Sequence, residues 1–124
     1  MDDYRFPRSV RLLTAQDFKA IFSGAKYKAS TREFLILAIP STQDHSRMGL
    51  VVAKKGVKKA VARNRLKRLI REYFRQHQSQ LSALDLVVLT RKGADQLTNT
   101  DIVRDFEKLF RRIQRQTETK PTGG

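Results

Sequence analysis

Cysteine and tryptophan are absent from this chain of 124 residues, and histidine occurs only twice. Without cysteine there can be no disulfide, no cysteine nucleophile and no zinc site built on thiolates. The lack of cysteine suits a reducing compartment, and we expect a cytoplasmic protein. No apolar run approaches the roughly 18 residues that suggest a membrane span. We therefore expect no membrane partner.

Acidic residues are scarce, because the chain has 12 acidic and 26 basic residues and a formal net charge of +14. Such an excess of like charge opposes a compact fold, so a polyanionic partner is the simplest reason to carry it. Nucleic acid is the first candidate for that partner, and an anionic membrane surface is the second.

The sequence also lacks the residue clusters that hydrolysis by a protein site needs. Two-metal hydrolysis requires several acids around ions roughly 4 Å apart, and no such group is visible. The histidines, His45 and His77, fall in unrelated segments. Asp101 and Asp105 share a helical face with neighbouring cations, so surface ion pairing is the expected role for them. We expect no catalytic residue and no metal site in the protein itself.

Two helices are predicted from capping residues that precede apolar residues at helical spacing. The first covers about 15–23, and Thr14 with Asp17 forms its predicted N-terminal cap. The last helix begins at a second pair of this kind, Thr98 and Asp101. Both patterns favour helices that bury one apolar face.

Apolar runs predict the strands. The strongest are 33–39, 48–53 and 84–90, and a weaker strand is possible within 26–32. The first two strong strands are separated only by the polar turn 41–46, so we expect them to pair as an antiparallel hairpin.

These elements indicate one domain that spans residues 1–116. Separated strands and helices on a chain of this length favour a two-layer α+β sandwich. Residues 1–13 are interpreted as an irregular basic arm, and residues 117–124, which have no apolar side chain, as a disordered tail.

A third predicted helix, about 58–76, carries most of the positive charge. Residues 54–75 contain ten basic residues and one acid, Glu72, which gives +9 (10 minus 1) within this segment. Apolar residues occupy one side of the helix and cations the other. A merely solvated face would mix signs at a spacing of four residues. Arginine and Asn64 on this face suit folded RNA better than lipid, and a membrane-surface helix would need bulky apolar residues free to insert.

The same helix carries the run AVARNRLKRLIREYFR at 60–75. This run, built around Arg-Asn-Arg, resembles the characteristic segment of the bacterial ribonuclease P protein family. Flanking segments that resemble the family lie at 11–13, 17–24, 49–55 and 85–91. The resemblance extends over roughly residues 5–115.

The resemblance implies an αβββαβα order, a small mixed sheet and a left-handed crossover that carries the basic helix. It implies a ribonucleoprotein endonuclease that hydrolyses one phosphodiester to remove the 5′ leader of precursor tRNA. Catalysis would belong to a separate RNA subunit with bound Mg²⁺, and the protein would be a monomer that binds this RNA and the leader.

The resemblance also implies two sets of contact residues. The catalytic RNA would be bound by residues of the basic helix: Lys59, Arg63, Asn64, Arg65, Lys67, Arg68 and Arg71. The 5′ leader would stack in a cleft on two aromatic rings and meet four cations: Phe18, Phe22, Lys26, Arg32, Lys54 and Lys55. Aromatic stacking suits single strands, because every base has a π-face.

Charge and composition fit a second function equally well. A structural RNA-binding or ribosomal-type protein without a role in cleavage would have the same basic character. Only the run around Arg-Asn-Arg separates the two functions.

Overall fold

The computed structural model describes residues 15–42 and 44–118. The predicted basic arm, the Thr14 cap and residues 119–124 of the predicted tail lie outside this part of the chain. The elements are α1 (Ala15–Gly24), β1 (Tyr27–Ser30), β2 (Phe34–Pro40), β3 (Arg47–Val52), α2 (Ala60–His77), β4 (Leu84–Thr90) and α3 (Asn99–Glu118). This is the αβββαβα order that the resemblance implies.

The four strands form one mixed sheet in the order β1-β2-β4-β3. β2 is antiparallel to β1 and to β4, whereas β3 is parallel to β4. The predicted hairpin of β2 and β3 is therefore wrong, because β4 lies between them. β4 is apolar and buried along nearly its whole length, which favours a central position. A parallel pair needs a crossover, and α2 supplies it between β3 and β4.

The inner face of the sheet holds the main core. Alternate residues of β2, Phe34, Ile36 and Ala38, point to this face and are fully buried. The helices α2 and α3 cover it with Leu66, Ile70, Tyr73, Phe74, Ile102, Phe106, Leu109, Phe110 and Ile113. The basic helix is thus fixed to the sheet by its apolar side.

The bounds of the helices differ slightly from the predicted ones. α2 begins at Ala60 and not at Lys58, because Lys59 has extended backbone (φ −81°, ψ 131°). α3 begins with the predicted cap, in which the Asp101 N–H donates to Thr98 Oγ1 (3.0 Å) and the Thr98 N–H donates to Asp101 Oδ2 (3.2 Å). α3 ends at Glu118, so the first two residues of the predicted tail are helical. Among the described residues, no helix is both long and apolar enough to cross a membrane.

Candidate nucleic-acid interface

The side of α2 that faces away from the sheet is cationic. Leu66 and Ile70 are buried on the inner side of the helix, while Asn64, Arg68 and Arg71 on the other side are exposed. The predicted separation of an apolar anchor from a cationic face is confirmed. This face can meet phosphates without disturbing the core.

Arg63 holds the turn that leads into α2. Its Nη1 donates to the carbonyl oxygens of Val57 (3.0 Å) and Lys58 (2.8 Å). Val57 is fully buried, so this contact fixes the start of the helix against the core. Arg63 therefore has a structural role, which the sequence pattern did not reveal.

Arg65 connects α2 to the start of α3. Its Nε and Nη2 donate to Asn99 Oδ1 (3.1 and 2.7 Å), and Nη2 also donates to the Leu97 carbonyl oxygen (2.7 Å). A guanidinium held in this way has lost its rotamer freedom before any partner binds. Arg65 is thus pre-oriented at the border between the cationic face and the start of α3.

Glu72, the only acid of the helix, lies near the C-terminal end of the cationic face. Arg75 donates to it through Nε (3.3 Å) and Nη2 (2.5 Å), and Gln76 Nε2 donates to it as well (2.9 Å). The hydrogen bond from Arg75 lowers the pKa of Glu72 and raises the pKa of Arg75. The positive charge that Glu72 does not offset is therefore concentrated toward the N-terminal half of α2.

α1 crosses the outer face of the sheet and carries the two predicted aromatic residues. Ile21 is fully buried against the sheet, and Phe22 is 49% exposed. The Phe18 and Phe22 rings are stacked, with centroids 6.4 Å apart and an interplanar angle of 19°. The half-buried Leu35 and Leu37 of β2 point to the same outer face of the sheet.

An ion-pair cluster fastens α1 to the sheet. Arg47 of β3 donates to both carboxylate oxygens of Asp85 on β4, through Nε (2.9 Å) and Nη2 (2.6 Å). Its Nη2 also lies 3.5 Å from Asp17 Oδ1 on α1. Asp17 and Phe18 project roughly 40° and 60° to opposite sides of Ile21 on a helix of 3.6 residues per turn. The cluster lies at the end of the sheet where β3 and β4 begin, and the other end of the sheet is where these two strands finish.

That other end carries a cationic rim. The register pairs Phe34 with Thr90 and Thr90 with Val52, so the turns next to these three strand ends meet. We define the basic rim as Arg32, Lys54, Lys55, Arg91 and Lys92, all of which are exposed. Three of the predicted leader contacts are thus brought together.

A close backbone approach holds two turns of the basic rim together. A Cβ on Gly56 would lie 2.9 Å from the Lys92 backbone nitrogen, so only glycine fits without a shift. The Arg91 N–H donates to the Glu33 carbonyl oxygen (2.8 Å), which joins the third turn.

Comparison with known proteins identifies the family to which this chain belongs. The family model described as Ribonuclease P matches residues 6–114. The chain belongs to the ribonuclease P protein family. The ribonuclease P protein component of Azotobacter vinelandii is 46% identical over 121 residues, which are 95% of this chain and 93% of that protein.

Solved structures of ribonuclease P proteins share the fold. The protein from Staphylococcus aureus gives a TM-score of 0.76 at 31% identity over 84% of this chain and 96% of that chain. The protein from Thermotoga maritima gives 0.73 at 32% identity over 83% and 96%. These comparisons support ribonuclease P and not the alternative of a ribosomal-type protein without a role in cleavage.

Two residues of the basic rim were missed by the sequence analysis of this ribonuclease P protein. Arg91 and Lys92 directly follow β4, as Lys54 and Lys55 follow β3. Parallel neighbours end at the same edge of a sheet, but the pairing of β3 with β4 had to be known first.

Lys26, by contrast, lies away from the basic rim. Its N–H donates to the Ala38 carbonyl oxygen (2.9 Å), near the far end of β2. Phe34 and Ala38 are separated by about 13 Å along the strand. The structure therefore does not bring Lys26 to the other predicted leader cations.

Both histidines, one tyrosine and one aspartate of this ribonuclease P protein interact with neighbouring side chains. His45 Nδ1 lies 3.1 Å from Asp44 Oδ1, and the His77 ring stacks on Tyr73 at a centroid distance of 3.9 Å. Burial raises the pKa of Tyr73 to about 12. Asp101 pairs with Arg104 at 3.3 Å, as the sequence predicts. Among residues 15–42 and 44–118, no three metal-ligating side chains converge.

Proposed function

We propose that this protein subunit of ribonuclease P supports RNA-catalysed removal of the 5′ leader from precursor tRNA by binding two RNAs on opposite sides of its sheet. One observation carries the proposal. The cationic face of α2 lies beyond the inner face of the sheet, while the aromatic cleft lies on its outer face. The chain can therefore contact the catalytic RNA and the leader at the same time.

The catalytic RNA is assigned to α2. Arg63 and Arg65 are held in place by the protein backbone, so they present fixed guanidinium groups to phosphates. Lys59, Asn64, Lys67, Arg68 and Arg71 complete the surface. Asn64 adds hydrogen-bonding capacity for base or sugar edges.

The 5′ leader is assigned to the cleft and the basic rim. Bases stack on Phe18 and Phe22, and the backbone passes toward Arg32, Lys54 and Lys55, which are next to Arg91 and Lys92. This combination of aromatic rings and a cationic track is typical of single-strand binding. Lys26 contacts a more distant part of the same leader RNA.

Catalysis is assigned to the RNA subunit and its Mg²⁺. The ion is assigned to the RNA, because phosphate oxygens are common ligands of Mg²⁺. We assign a monomeric protein to each ribonucleoprotein and place the particle in the cytoplasm.

Reconstitution tests this proposal. Protein, catalytic RNA, Mg²⁺ and precursor tRNA are combined, and each component is omitted in turn. We expect no cleavage without the RNA, and weaker cleavage at low Mg²⁺ without the protein. Cleavage by the protein alone would contradict the assignment of catalysis.

Salt dependence tests the α2 surface separately. Arg68→Ala should weaken binding of the catalytic RNA and reduce the slope of log Kd against log salt by about 0.7–0.9, the amount expected for one lost phosphate contact. Arg104→Ala, an equal loss of charge on α3, is the control. Equal effects of the two substitutions would mean that net charge alone governs binding.

A further inference from the structure

Val61 is the most exposed large apolar side chain among the described residues. It is 81% exposed, compared with 49% for Phe22 and 39% for Val103. A side chain this open adds little to the stability of the fold, because little of its apolar surface leaves water. Its neighbour Ala62 packs against the core, whereas Val61 does not contribute to this packing.

The position of Val61 is more informative than its exposure. Residues three, four and seven positions apart are neighbours on a helix surface. Val61 therefore lies in one row with Asn64, Arg65 and Arg68. The hydrogen bonds from Arg65 to Asn99 and Leu97 hold this part of α2 against α3. A branched apolar group thus stands at a fixed place within the cationic face.

Isolated surface valines are common and usually carry no function. A valine surrounded by cations is a different case, because the surrounding charges already select a polyanion. Of the polyanions, folded RNA offers apolar surface beside its phosphates, in sugar C–H groups, in the shallow minor groove and in unstacked bases. A lipid surface would require several apolar residues together.

We propose that Val61 packs against an apolar ribose or base surface of the catalytic RNA and supplies a part of the affinity that does not depend on salt. This contact rests on the proposed binding of that RNA by α2. The cations attract phosphates wherever they lie, whereas an apolar contact needs a matching surface at one distance. Val61 therefore also fixes where along the RNA the helix docks.

The test compares Val61→Ser with Val61→Ile and with Val103→Ser. Val103 lies on α3 between residues of mixed charge, outside the cationic face. The dissociation constant for the catalytic RNA is measured for the full chain at several salt concentrations. Thermal unfolding of each variant without RNA checks that the fold is intact, as expected for exposed positions.

For Val61→Ser we expect binding about fivefold to tenfold weaker at every salt concentration, with the slope of the unchanged protein. Val61→Ile and Val103→Ser should bind like the unchanged protein. Three results would overturn the contact: normal binding by Val61→Ser, an altered salt slope, or an equal loss for Val103→Ser. If the unchanged protein itself shows no salt-dependent binding of the RNA, the proposed function fails as well.

Discussion

Removal of Arg47 should destabilise the protein and loosen α1, the helix that carries the aromatic rings of the proposed leader site. The Arg47 guanidinium pairs with the Asp85 carboxylate, and its side chain is 17% exposed while that of Asp85 is 7% exposed. The same guanidinium reaches Asp17 on α1. The hydrogen bonds that Arg47 donates to Asp85 raise the pKa of Arg47, so the arginine stays charged.

The magnitude follows from the burial of the pair. Arg47→Ala leaves a buried carboxylate without its partner, and loss of one member of a buried pair costs about 3–5 kcal/mol. Because Arg47 is partly exposed, we expect the lower end, a loss of about 3 kcal/mol in the free energy of unfolding. An ordinary surface ion pair would contribute less than about 1 kcal/mol.

Urea unfolding of a double-mutant cycle measures this loss. The cycle consists of Arg47→Ala, Asp85→Asn and the two together, all without RNA. We expect the double variant to be more stable than Arg47→Ala alone, because no unpaired charge remains in the sheet. A loss below about 1 kcal/mol for Arg47→Ala, or strictly additive effects, would refute the reasoning.

Three further outcomes follow from the structure. Phe22→Ala should weaken binding of leader-bearing precursor by about 1–3 kcal/mol, the contribution of one stacked base, and leave a leaderless substrate unaffected. The ring is half-exposed, so its removal should not harm the core. Equal losses for both substrates in a binding titration would count against the cleft. Gly56→Ala should lower the unfolding free energy by about 1–3 kcal/mol, because its methyl group would meet the Lys92 backbone, whereas Gly24→Ala has open space and should be neutral in the same urea titration. Thr98→Ala should cost about 1 kcal/mol in that assay, as the loss of a cap does. The Thr98 backbone N–H, followed by its hydroxyl, holds the pKa of Asp101 below its ordinary value, so the stabilisation from the Asp101 carboxylate is present at neutral pH and is lost as the pH falls through the lowered value. A stability deficit of Asp101→Asn that is unchanged in acid would contradict this.

Local patterns in the sequence predicted most of the elements. The strand 84–90 has the predicted bounds, and α1 and α2 differ from the prediction by two residues or fewer at each end. The capping pair of Thr98 and Asp101 works as its spacing indicates. These features depend on interactions between residues three or four positions apart, which a sequence displays directly.

The pairing of strands could not be predicted in the same way. β2 and β3 are close in sequence, yet β4 separates them, because a strand that is apolar on both faces gains most at the centre of the sheet. No local pattern in β3 indicates that its partner strand, β4, lies more than 30 residues later in the chain. The grouping of Arg91 and Lys92 with Lys54 depends on this pairing, and so it was missed.

The cationic face of α2 was predicted as a face but not in its internal bonding. Helical spacing places Arg63 and Arg65 on the surface, and the sequence does not show that Val57 and Leu97 carbonyl groups lie within their reach. Such tertiary hydrogen bonds join segments whose proximity only the complete fold creates.

The central place of β4 has a consequence for synthesis on the ribosome. β3 pairs only with β4 among the described strands. Its backbone N–H and C=O groups therefore have no strand partner until a segment more than 30 residues later has been translated. At about 5–20 residues per second, the stretch from the end of α2 at His77 to the end of β4 at Thr90 takes on the order of one second, and during this time the arginine-rich helix lacks the central strand of the sheet that it covers. A polypeptide released before Leu84 should therefore fail to fold. Such a cationic fragment should bind RNA non-specifically.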